Sequence, residues 1–180
     1  MHGEEVLKLT PHESIRITAS TPEALVVEGT WGPGGSPPPK HFHPAQDERF
    51  EVLSGVLRTR VDGADRELRP GDVLEIPRGA VHQMWNAGEE PARATWTTSP
   101  ALRTAAWFRD VDALYRSGRV GGDGMPSPLA FGVLLTEYRD GFRLAGPQFL
   151  LTPALALLGA VGRLRGYRAR GDRTPATGPA

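Results

Sequence analysis

The sequence predicts a mainly β fold, an antiparallel sandwich or barrel, followed by an α-helical extension. Between residues 14 and 99, short runs of β-branched, aromatic and aliphatic residues are separated by Gly, Pro and Asp, which is typical of such sheets. After Pro100, apolar residues recur at helical spacing instead. The 180 residues have room for one domain and a modest extension. We therefore expect a β-barrel domain over 1–100, a helical C-terminal extension over 101–169 and a flexible polar tail over 170–180.

Composition narrows the classes of function. Lys plus Arg number 21 and Asp plus Glu also number 21, so no overall charge attracts nucleic acid or another polyanion. Cysteine is absent, which excludes disulfides, thiolate nucleophiles and cysteine-bound metals. The first residues lack the basic and apolar segments of a secretory signal, so we expect a cytoplasmic protein. We therefore expect a small-molecule partner and no nucleic-acid partner, and we expect nitrogen or oxygen ligands for any metal.

Two turns divide the strands of the barrel region. Leu57, Thr59 and Val61 alternate with arginines, which is the period of a strand with one buried face. The Asp62-Gly63 pair that follows predicts a tight hairpin turn. A Pro-Gly pair at 70–71 predicts a second turn before the run DVLEIP.

Three helices are expected in the extension. The segment 101–119 places Trp107, Val111 and Leu114 near helical spacing, and the glycine-rich stretch after it must end the helix. Residues 127–138 form the second predicted helix and residues 148–164 the third.

The third predicted helix lies in the longest apolar stretch of the chain, residues 147–162. This stretch is shorter than the roughly 20 residues that a membrane span needs, and Pro153 interrupts it. We expect a helix that is buried against the protein. Because arginines follow it, contact with anionic lipid is the alternative, and membrane binding is the less favoured interpretation.

Four side chains are spaced to meet at one metal ion. His41 and His43 are two residues apart, so on a strand both point to the same face while Phe42 points away, although such a pair alone can equally be a surface feature. Glu48 follows a turn and can return on the next strand, and His82 opens a later strand. Three imidazoles and a carboxylate leave positions on an octahedral ion open to water, oxygen or substrate.

These residues lie within two motifs in which the sequence resembles the cupin superfamily. The matching positions are Gly35, His41, His43, Glu48 and Gly55 in the first motif, and Gly71, Pro77, Gly79, His82 and Asn86 in the second. The resemblance covers roughly half of the chain and implies an RmlC-like jelly-roll β-barrel. It also implies one divalent metal ion, such as Fe, Mn, Ni or Zn, on His41, His43, Glu48 and His82. The helical extension is similar to the tails of some bacterial cupins, a less specific likeness.

Three apolar residues are candidates for contact with a substrate. Phe50 and Val52 follow Glu48 at alternate positions, and Met84 takes the same position relative to His82. They would make a mostly apolar pocket that suits an aromatic or aliphatic small molecule. The alternative is that all three are ordinary barrel core.

Three functions are compatible with these residues. The first is a dioxygenase-type enzyme that brings dioxygen and an organic substrate together at the metal. The second is an isomerase or cyclase in which the metal acts as a Lewis acid and Glu48 or a bound water moves a proton. The third is a non-catalytic cupin that binds metal or a metabolite as a sensor or accessory protein. Because exposed barrel edges must be covered, we also expect a homodimer.

Overall fold

The computed structural model of the protein describes residues 5–120 and 125–170. The barrel region of the described chain consists of β1 (Val6–Thr10), β2 (Glu13–Ser20), β3 (Leu25–Trp31), β4 (His41–Phe42), β5 (Asp47–Ser54), β6 (Leu57–Val61), β7 (Ala64–Leu68), β8 (Val73–Ile76), β9 (His82–Trp85) and β10 (Ala92–Ser99). The extension follows with α1 (Thr104–Arg116), α2 (Pro128–Glu137), β11 (Arg143–Leu144) and α3 (Gln148–Leu164).

The strands form two antiparallel sheets. One has the order β1-β2-β3-β10-β5-β8 and the other the order β11-β4-β9-β6-β7. Strands that are distant in sequence, such as β3 and β10, are neighbours in the first sheet. Such long-range antiparallel pairing is typical of a double-sheet jelly roll. The predicted mainly β fold with a helical extension is confirmed.

Alternation along the strands decides which side chains fill the barrel. In β3 the residues Leu25, Val27 and Trp31 are buried while their neighbours are partly exposed, and β5 shows the same period with Phe50 and Val52. Trp31, Phe50 and Val52 belong to an apolar cluster that draws on both sheets. Leu25 and Val27 belong to a second cluster, which the first sheet forms with Ala101 and Phe108. Burial of each large side chain contributes about 1.5–3 kcal/mol to stability.

The predicted hairpin turn is present between β6 and β7. Val61 pairs with Ala64, and the two residues between them, Asp62 and Gly63, have φ of 47° and 86°. Two successive positive φ angles are the signature of a type I′ turn, whose twist matches that of the strands it joins.

All three predicted helices are present. The Ser127 side chain accepts a hydrogen bond from the Ala130 amide and thereby caps α2. Helices α2 and α3 pack closely because glycines face each other. A Cβ at Gly159 would lie 2.7 Å from Thr136 Oγ1, and one at Gly162 would lie 2.6 Å from the Leu129 carbonyl oxygen.

The extension is joined to the barrel at two places. At the first, the Lys8 amide of β1 donates to Asp112 of α1 over 2.9 Å. At the second, β11 pairs with β4, so that Leu144 lies opposite His41 at the edge of the second sheet. The change from strands to helices falls between 99 and 104, while the division into domains stays a prediction. All but the first residue of the predicted tail lies outside the described residues.

The expectation that the apolar stretch of α3 is buried against protein is wrong for one face of the helix. Phe149, Leu157 and Leu164 are 78%, 68% and 89% exposed, because only the glycine-bearing side packs on α2. A span across the bilayer was not expected for this stretch, and among the described residues no helix is both long enough and apolar enough to make one.

Two glycines with positive φ allow a stability test of the barrel. Gly55 has a φ of 72°, and a Cβ there would lie 2.5 Å from the Pro91 carbonyl oxygen. Gly63 has a φ of 86°, but nothing lies within 4 Å of its Cβ position. We expect Gly63→Ala to lower the free energy of unfolding by about 1 kcal/mol through backbone strain alone, and Gly55→Ala by about 3 kcal/mol through strain plus collision. Denaturant titration measures both, and equal losses would contradict this account of Gly55.

Candidate metal centre

His41 and His82 face each other across neighbouring strands. They are direct partners in the β4–β9 pair, and their ring centroids lie 4.3 Å apart. Directly opposed residues of an antiparallel pair point to the same face of the sheet. His82 is only 3% exposed, so that face is the interior of the barrel.

His43 joins the pair from just beyond the end of β4. The prediction placed both histidines on one strand, whereas β4 ends at Phe42. The chain nevertheless keeps His43 buried, with its carbonyl oxygen accepting from the Gly79 amide over 2.9 Å. One ligand nitrogen from each of the three histidines lies within 4.8 Å of the others. The structure thus brings together all three predicted imidazoles.

Glu48 reaches the same point from the opposite sheet. It lies on β5 and is 2% exposed. Its Oε1 is 3.3 Å from His43 Nε2, and its Oε2 is 2.9 Å from His82 Nε2. Trp96 on β10 donates its indole Nε1–H to Oε1 over 2.9 Å and so fixes the carboxylate.

Backbone carbonyls set the tautomer of all three imidazoles. The Nδ1 atoms of His41, His43 and His82 lie 2.9, 2.6 and 3.1 Å from the carbonyl oxygens of Pro39, Gly141 and Ala80. Since a carbonyl oxygen only accepts, Nδ1 carries the proton in the neutral ring. The Nε2 lone pairs are then left for the centre of the site, as in histidines that bind metals.

The charges of the site are strongly coupled. Burial and the neighbouring imidazoles lower the pKa of His41 to about 3. Burial alone would raise the pKa of Glu48, but His43 and His82 lower it to about 2. Burial opposes the protonation of His82, yet the hydrogen bond to Glu48 and its charge raise the pKa of His82. Glu48 is therefore a carboxylate that draws positive charge into the site, either as a proton on His82 or as a cation.

The buried atoms of the site fit a divalent cation better than hydrogen bonds. In the described part of the chain, His43 Nε2 and Glu48 Oε2 are buried without a hydrogen-bond partner. An unpaired buried acceptor costs roughly 1–3 kcal/mol, and here the acceptors face one another. An ion on the three Nε2 atoms and the carboxylate would satisfy all of them, and this N₃O set suits first-row divalent metals.

A cavity of about 60 Å³ opens beside His41 and His43, on the side that faces the extension. Its lining is mostly apolar. The aromatic part consists of Trp96, Trp107, Phe108, Tyr138 and Phe142, and the polar part includes Gln46, Arg103, Thr104 and Asp140. A small molecule in this cavity would lie next to the proposed metal ligands.

The extension builds the outer wall of the cavity and touches the histidines directly. The Phe142 ring stacks on His41 with centroids 4.6 Å apart and an interplanar angle of 17°. Trp107 of α1 stacks on the other side at 4.9 Å and 17°. Because the Gly141 carbonyl also accepts from His43, residues 141 and 142 fix the orientation of two of the three imidazoles.

Gln46 offers an unused acceptor in the cavity wall. Its Nε2 donates to the carbonyl oxygens of Pro100 and Ala101 and to Thr104 Oγ1, at 2.8, 3.1 and 2.8 Å. Three acceptors around Nε2 leave Oε1 as the free end of the amide. Within the described residues this Oε1 is buried without a donor, so a ligand carrying an O–H or N–H group could supply one.

A second carboxyl, that of Glu13, lies near Glu48 and has its pKa shifted in the opposite direction. Glu13 pairs with Trp31 across β2 and β3 and shares the inward strand face of the buried Ile15. Burial raises the pKa of Glu13 to about 7, and the charge of Glu48 adds to this, while a hydrogen bond with Trp31 opposes it. The barrel thus holds one carboxyl that stays ionised and one that is partly protonated near neutral pH.

The predicted substrate contacts lie elsewhere. Phe50, Val52 and Met84 belong to a buried core cluster of the barrel, and none of them lines the cavity beside the histidines. This arrangement corresponds to the core alternative. The sequence analysis missed Gln46 and Phe142, because neither has a local pattern that marks it. Asn86 is buried as a hydrogen-bonding residue, with its amide donating to the carbonyl oxygens of Trp31 and Glu90.

Comparisons with known proteins agree with the motifs. Residues 27–98 match a family model described as a cupin domain. The tetracenomycin polyketide synthase protein TcmJ of Streptomyces glaucescens is 34% identical over 61 residues, 34% of this chain and 41% of that protein. Quercetin 2,3-dioxygenase of Bacillus subtilis is 34% identical over 83 residues, 44% of this chain and 25% of that protein. The chain therefore matches less than half the length of these relatives.

A solved structure shows the same architecture. An RmlC-like cupin from Shewanella frigidimarina aligns with a TM-score of 0.51 at 19% identity, covering 57% of this chain and 89% of that chain. This likeness confirms the predicted jelly-roll fold.

Metal uptake tests the proposed ligands. We expect protein purified without chelator to hold a divalent cation in elemental analysis, because a cation would compensate the buried carboxylate and bind the lone pairs. Replacing a ligand should weaken affinity more than the 10–100-fold typical of residues that only hydrogen-bond to metal ligands, so His41→Ala and His82→Ala should lose the ion on dialysis. His12→Ala is the matched control, since His12 is exposed and absent from the histidine cluster. If all three variants retain the ion equally, the histidine cluster is not the site.

Glu13 predicts a pH dependence of stability. Its pKa in the folded protein, about 7, is above the ordinary 4.5, so this carboxyl stabilises the fold below pH 4.5 and loses that contribution as the pH rises through 7. Glu13→Gln mimics the protonated form at every pH. In chelator-treated protein we expect Glu13→Gln to gain about 1–3 kcal/mol over the parent between pH 5 and pH 8, measured by denaturant titration. Glu75→Gln, at an exposed position of β8, should show no such gain, and a pH-independent difference for Glu13→Gln would contradict the assignment.

Proposed function

We propose that this chain, whose residues 27–98 match a cupin domain, is a metal-dependent enzyme that oxidises a hydroxylated aromatic small molecule with dioxygen. The observation that carries the proposal is the convergence of three imidazoles and a carboxylate at the wall of a cavity lined with aromatic rings.

The proposed metal ligands are His41, His43, His82 and Glu48. When bound, a divalent ion supplies a redox-capable and Lewis-acidic centre with open coordination positions. The chain's own groups orient the site, since backbone carbonyls hold the rings and Trp96 holds the carboxylate. Because its pKa is about 2, Glu48 is ionised at neutral pH, so it would contribute negative charge to a bound cation and has no proton to donate to a substrate.

The cavity favours a planar aromatic substrate. Trp96, Trp107 and Phe142 line the cavity and can make ring contacts with an aromatic molecule, although Phe142 offers only its edge because His41 and Trp107 cover its two faces. The unpaired Gln46 Oε1 would accept from a substrate hydroxyl, and this contact would orient the ring toward His41 and His43. The apolar lining also limits the access of water to the proposed reaction site.

The relatives support the proposal from two sides. One is named for an oxygen-dependent reaction on quercetin, and another is named as part of a polyketide synthase. Both likenesses lie within the cupin region, so the reaction and the substrate are inferred from the site of this chain. Two alternatives are tested against this proposal. One is an isomerase or cyclase that needs no oxygen, and the other is a protein that binds a small molecule without turnover.

A homodimer is part of the proposal. The outer strands of the first sheet, β1 and β8, carry exposed apolar side chains, with Val6 52% and Val73 41% exposed. Sheet edges of this kind are commonly covered by a second copy. A cytoplasmic location and the absence of nucleic-acid binding stay predictions from composition.

Oxygen consumption tests the reaction class. We expect protein loaded with Fe(II) or Mn(II) to consume dioxygen with phenolic substrates and to lose turnover under nitrogen. Product formation that persists under nitrogen would replace the proposal with Lewis-acid chemistry. Tight binding without product over hours would leave a binding protein.

Matched ligands test the role of the cavity. A phenol and its methyl ether share the ring and the oxygen, but only the phenol has a hydrogen-bond donor, so we expect the phenol to bind about 5–10-fold more tightly, the effect of about 1 kcal/mol from one hydrogen bond. Quenching of tryptophan fluorescence by the two ligands measures this difference. Equal affinities would exclude Gln46 Oε1 as the acceptor.

A further inference from the structure

Helix α3 presents an apolar face that no described residue covers. Its opposite side packs on α2 through Gly159 and Gly162. On the free side Phe149, Leu157 and Leu164 are more than two-thirds exposed, and Leu150 is 57% exposed. Isolated exposed leucines are common on protein surfaces, but a contiguous apolar patch marks an interaction surface.

The free side chains form one stripe along the helix. At about 100° per residue, Phe149, Leu150, Pro153, Leu157 and Leu164 fall within a sector of roughly 100°. The stripe runs for about 22 Å at 1.5 Å per residue. Ala156 and Ala160 fill the positions between them, so the stripe contains no polar side chain.

The segment that carries the stripe has charged side chains of one sign. Residues 141–170 include five arginines and no Asp or Glu, in a chain whose total charge is balanced. By the same helical angle Arg163 and Arg165 lie on the two flanks of the stripe at its C-terminal end, and Arg165 and Arg168 are exposed. Within the described chain, Arg163 Nη2 lies 3.5 Å from Glu137 Oε2 of α2, which is the acidic partner at this end of the helix.

We propose that α3 docks on an anionic bilayer, with the stripe from Phe149 to Leu164 in the interfacial region and the arginines beside it on lipid phosphates. An apolar stripe flanked by arginines matches the two layers of a bilayer surface, acyl chains below and negative headgroups above. A second copy of the chain would offer the apolar partner but not the negative charge, because the same segment of that copy lacks acidic residues. The charge therefore favours lipid over self-association.

Docking through α3 is separate from the proposed chemistry. Among the elements of the fold α3 has its main contacts with α2, and none of its residues lines the cavity beside the histidines. Membrane binding therefore needs neither metal nor substrate. A failed vesicle test would leave the proposed enzyme intact, and a failed oxygen test would leave the docking surface intact.

Co-sedimentation of the full chain with vesicles tests the proposal. We expect binding to phosphatidylcholine vesicles that contain about 30% phosphatidylglycerol, weak binding to phosphatidylcholine alone, and release at high salt. Leu150→Ser combined with Leu157→Ser should abolish sedimentation. Arg165→Gln combined with Arg168→Gln should weaken it roughly fivefold per arginine, which corresponds to about 1 kcal/mol each.

Matched variants on the barrel separate docking from general stickiness. Leu53→Ser with Leu102→Ser, and Arg58→Gln with Arg66→Gln, remove the same kinds of exposed side chain from β5, the segment after β10, β6 and β7. These variants should sediment like the parent protein. The proposal is overturned if the parent does not bind anionic vesicles, or if barrel and helix variants lose binding equally. It is also overturned if light scattering shows that Leu150→Ser with Leu157→Ser halves the mass in solution while lipid binding persists.

Discussion

The rest of the site depends on one constraint, the burial of a carboxylate against imidazole Nε2 atoms that carry no proton when the rings are neutral. Each ring donates its Nδ1–H to a backbone carbonyl oxygen, so the Nε2 lone pairs face the interior. The carboxylate of Glu48 lies within 3.3 Å of the Nε2 atoms of His43 and His82. Such an arrangement is unfavourable unless a positive charge joins it. The two-sheet architecture makes the meeting possible, because the histidines come from β4, its end and β9, while Glu48 comes from the facing sheet.

Electrostatics also separates the two inner carboxyls by function. Glu48 is held ionised by two imidazoles, whereas Glu13 lies in a poorly solvated position and retains its proton up to a pKa of about 7. One barrel thus contains a carboxylate that stays ionised, Glu48, and a weakly acidic carboxyl, Glu13. The charge of Glu48 contributes to this difference, because it disfavours a second negative charge on Glu13.

The sequence predicts the local features well, because these depend on short spacings. The Asp62-Gly63 turn, the three helices and the grouping of the histidines all follow from periodicity and motif spacing. Phe142 and Gly141 could not be predicted, since they reach His41 and His43 from about 100 residues away and nothing in their local sequence marks them. The exposed face of α3 was missed for a related reason. Hydrophobicity predicts that a helix packs, while the glycines that face α2 decide which side does so, and this depends on the fold.

The pairing of β11 with β4 has a consequence for the order in which the protein matures. The Gly141 carbonyl that orients His43 lies 98 residues further along the chain, so it is synthesised after the strands that carry the imidazoles. A nascent barrel that forms earlier has its histidine cluster open along this edge. Full ordering of the cluster therefore follows the synthesis and docking of the segment around Gly141.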